Sequence, residues 1–360
     1  MLFENGLAKT IDNYENWWAG ELDRPLIPIV LTGLKPDRKP PKHYYENQKS
    51  YGDPKISPEE FVDSADYELR SCEYLGDSYP FFNGIHSGPG IVAAFLGADV
   101  NIDTGSIWFF PKKELPLEEL HFEYDENNFW LQRTKAILME AKSRWGDTVV
   151  IGMPDLGGVI DILATFRGTQ NLLFDLYDSP DEVKRNVNDI KILWHRYFDE
   201  LLLCLNDGLY TDWGGILSKS RIYMMQSDFS YMLGPDLFKE FVLDELTETC
   251  AFLDRGCYHL DGVGQIPFIE SLIEDAKMDL IQWVPGDGPY ADKDWFELYV
   301  KILDSDKHLQ LAYDDDFTVL DKLISRYGSG KNIVRHTIRK PFTERDAVNR
   351  LLSRYNVTDC

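Results

Sequence analysis

From about residue 129 onward, short apolar runs alternate with longer segments in which apolar residues recur at helical spacing. The short runs are rich in β-branched and aromatic residues and end in polar residues or glycine, which is typical of buried strands. Such alternation indicates βαβ units that share a parallel sheet. The predicted strands are Thr148 to Met153, Ile222 to Gln226, Cys257 to Leu260, Leu280 to Val284, His308 to Tyr313 and Ile333 to Ile338.

The segments between these runs predict helices. One helix covers Trp130 to Trp145 and a second helical segment covers Ile160 to Leu176. Ser179 as N-cap and Pro180 at the first helical position then predict the start of a long helix that runs to about Leu205. Later helices are predicted near Phe238 to Asp254, Pro267 to Lys277, Asp294 to Leu303, Phe317 to Tyr327 and Thr343 to Tyr355.

An early strand near Ile27 and another near Tyr210 bring the strand count to about eight. No glycine-rich dinucleotide fingerprint follows the first strand, which favours a closed barrel over a Rossmann sheet. We therefore predict an α/β fold, a (β/α)8 TIM barrel with an N-terminal elaboration. Because no repeat or low-complexity linker divides the chain, we predict a single domain over 1–360, with an irregular elaboration and first strand in 1–110 and the main barrel in 111–360.

The composition and net charge of the chain argue against some classes of binding partner. The chain is 44% hydrophobic and carries a formal net charge of −24, which argues against nucleic acid and anionic membranes as partners. The five cysteines are odd in number and scattered, so a disulfide framework is not expected. With no signal peptide or membrane-spanning run in the sequence, we expect a cytoplasmic protein.

Polar residues follow the predicted strands at their carboxyl ends, where barrel enzymes build their active sites. A single Asp at such a place is often only a helix cap. Two of the seven histidines also occupy these positions, however, which indicates a function. The candidate residues at or near strand ends are Asp155, Gln226, Asp228, Tyr258, His259, Asp261, Gln282, Trp283, Asp314 and His336.

His259 and Asp261 are two residues apart, so on a strand both side chains face the same way. They predict a metal or proton-transfer pair, while a buried structural histidine and a turn aspartate remain the alternatives. Trp283 and Trp213 are predicted to wall a pocket. His86, beside the glycine-rich loop Ser87 to Gly90, is a further candidate because a backbone of this kind can approach a ligand closely.

Three parts of the sequence carry a family resemblance: a short early segment, a helix pair and an Asp-centred strand end. The matching segments are Asp23-Arg24-Pro25-Leu26, Arg167 to Leu173, Asp178 to Val183, Gln226 to Ser230 and Gly234 to Phe238. In these segments the chain resembles the uroporphyrinogen decarboxylase superfamily, over most of its length. The fold that this resemblance implies is a (β/α)8 barrel.

Within that superfamily the chain resembles the corrinoid-linked methyltransferases more than the true decarboxylases. The arginine-rich N-terminal motif of the decarboxylases is missing, since Arg24 and Arg38 are the only arginines before Arg70. His259-Leu260-Asp261-Gly262 is similar to the methyltransferase motif His-x-Cys-Gly with Asp in place of Cys, and His336 lies where a late Cys ligand is found. The resemblance therefore implies zinc held by His259, Asp261 and His336, a separate corrinoid protein as partner, and no covalently bound cofactor.

Three functions remain open from the sequence. The first is a methyltransferase-like enzyme that acts on a small molecule. The second is a cofactor-free lyase, decarboxylase or hydrolase for a small polar substrate, in which His259 and Asp228 serve as acid and base. The third is a non-catalytic ligand-binding barrel, and a homodimer is compatible with all three.

Overall fold

The computed structural model describes residues 6–42, 47–102, 105–286, 294–312, 314 and 316–357. The helices are α1 Leu7–Trp18, α2 Asn47–Gly52, α3 Pro58–Arg70, α4 Val92–Phe95, α5 Phe129–Trp145, α6 Val159–Arg167, α7 Thr169–Asp178, α8 Pro180–Leu202, α9 Pro235–Phe238, α10 Asp244–Phe252, α11 Ile269–Glu274, α12 Phe296–Asp304, α13 Thr318–Tyr327 and α14 Arg345–Arg354. The strands are β1 Pro28–Thr32, β2 Cys72–Gly76, β3 Phe81–Phe82, β4 Asp99–Asn101, β5 Trp108–Phe110, β6 Val150–Ile151, β7 Ile222–Met225, β8 Arg255–Asp261, β9 Leu280–Val284, β10 His308–Leu311, β11 Ile333–Arg335 and β12 Ile338–Pro341.

A five-stranded sheet lies at the centre of the fold, in the order β7-β8-β9-β10-β11. Its strands run parallel throughout, and the segments between consecutive strands contain helices, so the α/β class is confirmed. In this register His259 lies beside Gln282, and Gln282 lies beside Gln310. The three polar side chains therefore form one row across three neighbouring strands.

The two faces of this sheet belong to different hydrophobic clusters, as the two-residue period of a strand requires. The face that carries His259, here the His259 face, contributes Ile222, Met224, Cys257, Leu280 and Val334 to the smaller cluster. The opposite face, here the helix face, contributes to the larger cluster, in which the surrounding helices take part. Its members on the strands are Tyr223, Met225, Tyr258, Leu260, Ile281, Trp283, Leu309, Leu311 and Ile333.

Helix α1 covers the amino ends of the central strands. The ring of Trp17 lies 4.3 Å from that of His308, at the start of β10, and both are largely removed from solvent. At the start of β8, Arg255 pairs with Glu15 at 2.9 Å. Helix α1 therefore covers the end of these strands that lies opposite to their carboxyl ends.

Smaller sheets continue the structure on both sides of the central one. β1 pairs in parallel with β12 and antiparallel with β2, and β3 pairs in parallel with β6. A parallel bridge joins Leu26 to Val334, which belongs to β11, and another joins Met153 to Asp212. β4 and β5 form a separate antiparallel hairpin.

Several predicted elements need correction. The strand near Tyr210 is an isolated antiparallel bridge to Ser218, and the segment 160–176 is divided into α6 and α7. The first hundred residues are not irregular, since they contain helices α1 to α4 and strands β1 to β3. Pro180 does begin α8, but the Ser179 side chain accepts no capping hydrogen bond. Tyr313, predicted at the end of β10, lies outside the described residues.

The cysteines agree with the expected absence of a disulfide framework as far as they are described. Cys72, Cys204, Cys250 and Cys257 are free thiols, and Cys360 lies outside the described residues. Within the part of the chain that the structure describes, none of the helices combines the length and apolar character needed to cross a bilayer.

Candidate functional site

A chain of side-chain hydrogen bonds runs along the polar row of the His259 face. Nδ1 of His259 is bonded to Oε1 of Gln282, and Nε2 of Gln282 donates to Oε1 of Gln310 at 2.5 Å. Nε2 of Gln310 in turn donates to the backbone carbonyl of Gly214 at 3.0 Å. Both glutamines are buried, so their amides have no water to replace a missing partner.

The bond between Gln310 and Gly214 determines which group donates and which accepts in the other bonds of this hydrogen-bonded relay. A backbone carbonyl only accepts, so Gln310 must present its NH2 group to Gly214 and its oxygen to Gln282. Gln282 then presents its own oxygen to His259, which must donate from Nδ1–H. When the imidazole is neutral, Nε2 therefore carries the lone pair.

Two carboxylates interact electrostatically with His259. Oδ2 of Asp261 lies 4.0 Å from Nε2 of His259, which is beyond a hydrogen bond but close enough for charge attraction. Burial raises the pKa of Asp228, with His259 opposing this rise and Asp261 adding to it. His259, Asp228 and Asp261 are thus one electrostatic group, with a proton-accepting nitrogen at its centre.

Two further acidic residues, Asp161 and Asp155, interact with Asp228 or its backbone. Asp161 accepts from the backbone N–H groups of Asp228 and Phe229 at 3.0 and 2.7 Å, which holds the turn after β7 in place. Burial and the charge of Asp228 raise the pKa of Asp161 to about 7. Burial likewise raises the pKa of Asp155 to about 7, and Nε2 of Gln226 lies 3.5 Å from its carboxylate.

The loop from Ser87 to Gly90 approaches another backbone rather than open space for a ligand. A Cβ on Gly157 would lie 2.6 Å from Cα of Gly90, and the carbonyl of Asp155 accepts from the N–H groups of Gly90 and Ile91. Glycine is therefore needed at position 157, where the two main chains meet.

A cavity of about 280 Å³ adjoins the polar row. His86 and His336 both line it, and Trp213 separates it from His259, whose ring centroid lies 5.1 Å from that of the indole. Burial lowers the pKa of His86 to about 4, and burial together with the charges of Arg335 and His259 lowers the pKa of His336. Further lining residues are Glu68, Cys72, Tyr74, Tyr79, Phe81, Phe82, Gly215, Thr337 and Arg339.

The remaining candidate residues lie elsewhere. Tyr258 and Trp283 are on the helix face of the sheet, opposite to His259, where the Tyr258 hydroxyl donates to Gln265 and Trp283 packs 5.0 Å from Trp295. Asp314 accepts from the backbone N–H groups of Val319 and Leu320, both at 2.9 Å, at the start of α13. These three residues therefore make structural contacts elsewhere, and none of them lines the cavity.

A donor set for a metal ion is not assembled among the described residues. In the ranges given above, no group of three His, Cys, Asp or Glu side chains is placed to hold one. Nδ1 of His259 is occupied by Gln282, which leaves Nε2 as its one open nitrogen. The zinc ion implied by the sequence resemblance therefore stays a prediction.

Sequence reasoning missed Gln310 and Asp212, which shape the site. Asp212 accepts from Gly214 N–H at 2.8 Å and from Met224 N–H, and so fixes the loop that carries Trp213. Burial raises the pKa of Asp212 to about 6. The available signal for Gln310 was its place as a lone amide in an apolar strand, two strands from His259.

Comparison with known proteins identifies a structural relative and no sequence relative. No protein-family model matches the chain, and no curated protein matches it in sequence. Among solved structures, a methyltransferase from Methanosarcina mazei is similar with a TM-score of 0.58 and 12% sequence identity. The similarity covers 96% of this chain and 98% of that protein, so the two share their fold along nearly their whole lengths.

Proposed function

We propose that the protein is a methyltransferase-like enzyme of the uroporphyrinogen decarboxylase superfamily that acts on a small molecule. The observation that supports this most is the shared fold with a methyltransferase over 96% of the chain. The sequence resemblance leads to the same branch through His259-Leu260-Asp261-Gly262. The two arguments are independent, since one rests on backbone geometry and the other on motifs.

The proposal includes closure of the strands into a (β/α)8 barrel. Leu26 connects β11 to the segment before β1, and Ile27 accepts a hydrogen bond from Asp77 on the way to β3. β3 pairs with β6, and the Met153–Asp212 bridge leads on toward β7, where Met224 bonds Asp212. The His259 face would then be the interior of the barrel, with α1 at its amino end.

In the proposed reaction His259 acts as a general base. As a methyl group is transferred to an acceptor X–H, the X–C bond forms, the bond from the methyl group to its donor breaks, and Nε2 takes the proton of X–H. The imidazolium that results is stabilised by Asp228 and Asp261, while Nδ1–H continues to donate to Gln282. A separate corrinoid protein is the proposed methyl carrier, as the sequence resemblance implies.

Methyl transfer from methylcobalamin to a panel of thiol, hydroxyl and amine acceptors would test this function. We expect activity with at least one acceptor and a loss of about 100-fold or more in His259→Ala, since general bases contribute about 10²–10⁴-fold. His121→Ala is the matched control because His121 is exposed. Absence of transfer to every acceptor, or full activity in His259→Ala, would contradict the proposal.

A metal-free lyase or hydrolase is the second candidate, and one observation favours it. Asp228 has a raised pKa beside a histidine whose Nε2 is bare, which is the arrangement of an acid paired with a base. This candidate predicts that protein treated with a chelator decarboxylates or hydrolyses a small polar acid, and that Asp228→Asn removes this activity. Methyl transfer that survives in Asp228→Asn would favour the first candidate instead.

A further inference from the structure

We propose that the cavity beside Trp213 binds a small alkylated ammonium ion. That the ion serves as the substrate rests on the proposed function, whereas its binding rests on the cavity alone. Three properties of the lining support the assignment: its aromatic rings, its lack of net charge and its position next to His259.

Five aromatic side chains contribute to the wall, namely Tyr74, Tyr79, Phe81, Phe82 and Trp213. The two phenols are fixed by their hydroxyl groups, since Tyr74 donates to the carbonyl of Leu69 at 3.2 Å and Tyr79 to that of Gly215 at 3.0 Å. Their rings are therefore held in place before a ligand arrives. Aromatic rings attract organic cations, and alkylated ammonium groups are bound in this way where water is excluded.

The ionisable groups of the lining leave no free charge for an anion. Glu68 and Arg339 pair with each other at 3.3 Å, so they cancel. Burial lowers the pKa of His86 to about 4, so this imidazole is neutral at pH 7, and burial raises the pKa of the Cys72 thiol. An anion would find only a guanidinium that is already paired, while a cation meets rings inside a protein of net charge −24.

Size and position fit a small substrate of this class. Pockets for drug-sized ligands measure about 300–1,000 Å³, and this cavity, at about 280 Å³, lies at the lower limit. Trp213 contributes to its wall and packs edge-to-face against the imidazole of His259. A cation held by these rings would therefore lie on the other side of the Trp213 indole from His259.

Binding of choline and of its neutral isostere, 3,3-dimethylbutan-1-ol, to the full chain tests the proposal without any need for turnover. The two probes have the same shape and differ only in the charge of the onium centre. We expect calorimetric titration to give a dissociation constant at least about tenfold lower for choline, in line with a desolvated cation–π contact. Equal or tighter binding of the alcohol, or no binding of choline, would overturn it.

Phe81→Leu removes one ring while keeping the wall apolar, and Phe81 is only half-buried, so the variant should fold. Choline affinity should fall several-fold and that of the alcohol should stay constant, whereas Phe110→Leu on the exposed hairpin should change neither. Selective choline binding without methyl transfer would refute the proposed function and leave this site intact. Methyl transfer without choline selectivity would do the reverse.

Discussion

The protonation pattern of His259 depends on two buried amides. Replacing Gln282 with leucine removes the acceptor of the Nδ1 proton and leaves Oε1 of Gln310 without its donor. We expect a stability loss of about 1–3 kcal/mol for the stranded polar groups and a turnover number about 10- to 100-fold lower, because the imidazole loses its orienting partner. Denaturant unfolding and steady-state kinetics would measure the two effects.

A spectroscopic readout separates positioning from simple destabilisation. In ¹⁵N-labelled wild-type protein, the neutral imidazole of His259 should show a protonated Nδ1 and a bare Nε2. In Gln282→Leu both tautomers should appear, whereas Gln282→Glu, which keeps an acceptor, should retain the wild-type form. The exposed Gln132→Leu serves as control. Identical tautomer ratios in all four proteins would refute the relay.

Single residues were predictable where their chemistry is distinctive. His259, Asp261 and Asp228 came from the sequence because imidazole and carboxylate groups at strand ends indicate proton chemistry. The structure places the first two 4.0 Å apart and lets Asp228 interact with their charges, while their function stays a prediction. Gln310 gives no indication of proton chemistry, since a single amide in a mainly apolar strand is neither an acid nor a base. Its role follows only from the register that places it beside Gln282.

At the scale of elements, the turn between β6 and α6 depends on the meeting of two glycines. Gly157 has a φ of +80°, and a Cβ there would also strike Gly90 at 2.6 Å. Gly328, at the end of α13, has a left-handed backbone with a φ of +72° and open space around it. Gly328→Ala should therefore cost only about 1–2 kcal/mol for the left-handed backbone, whereas Gly157→Ala must also move a main chain and should cost clearly more.

Chemical unfolding of the two variants would measure this difference. Because Asp155 accepts from the N–H of Gly157 at 2.9 Å, Gly157→Ala should also disturb the carboxylates near His259 and reduce activity. Gly328→Ala should leave activity unchanged. Equal stability losses in the two proteins would mean that the loop yields easily and that the contact with Gly90 is unimportant.

The elements that were predicted well are those that local sequence determines. β7 to β11 are short segments with apolar residues at most positions, and their parallel pairing follows from the helices between them. β3 and β6 pair over only two residues each, and the contact near Tyr210 is a single bridge. Such short pairings are stabilised by residues that are distant in sequence. A local sequence pattern therefore cannot predict where these strands begin and end.

The molecule as a whole should become less stable as the pH rises above neutrality. Burial raises the pKa of Asp155 to about 7 and that of Glu245 to about 8, whereas in an unfolded chain both would ionise near pH 4. The folded state therefore binds more protons, and the stability this provides is lost as the pH rises through the folded values. His86 and His195, whose pKa burial lowers to about 4, act in the opposite sense, but only below about pH 6.5.

Thermal unfolding between pH 6.5 and 8.5 would measure this dependence. Wild type should lose stability across the window, with Glu245 contributing on the order of 2 kcal/mol. Glu245→Gln should flatten the dependence, since an amide cannot ionise. Glu270→Gln, at an exposed carboxylate, should leave it as in wild type. The same slope in all three proteins would show that the Glu245 carboxyl is not held neutral.

For the molecule as a whole, the sequence was enough to predict the fold class. It was only partly enough to predict which residues lie on each face of the central sheet. Alternation of strands and helices gave the α/β class. Trp283 was predicted at the site, yet it packs on the helix face, because a residue next to a polar one on a strand points the other way. The domain boundaries over 1–360 stay a prediction.

The pairing of β1 with β12 has a consequence for synthesis. Thr32 and the Lys340 carbonyl that it contacts are 308 residues apart in the chain. During synthesis on the ribosome, the edge of β1 that pairs with β12 must stay unpaired until β12 has also been made. Exposed strand edges pair with other chains. The other edge of β1 is covered much sooner, since β2 pairs with it and helix α3 contacts β2. Completion of this three-stranded sheet therefore waits for β12.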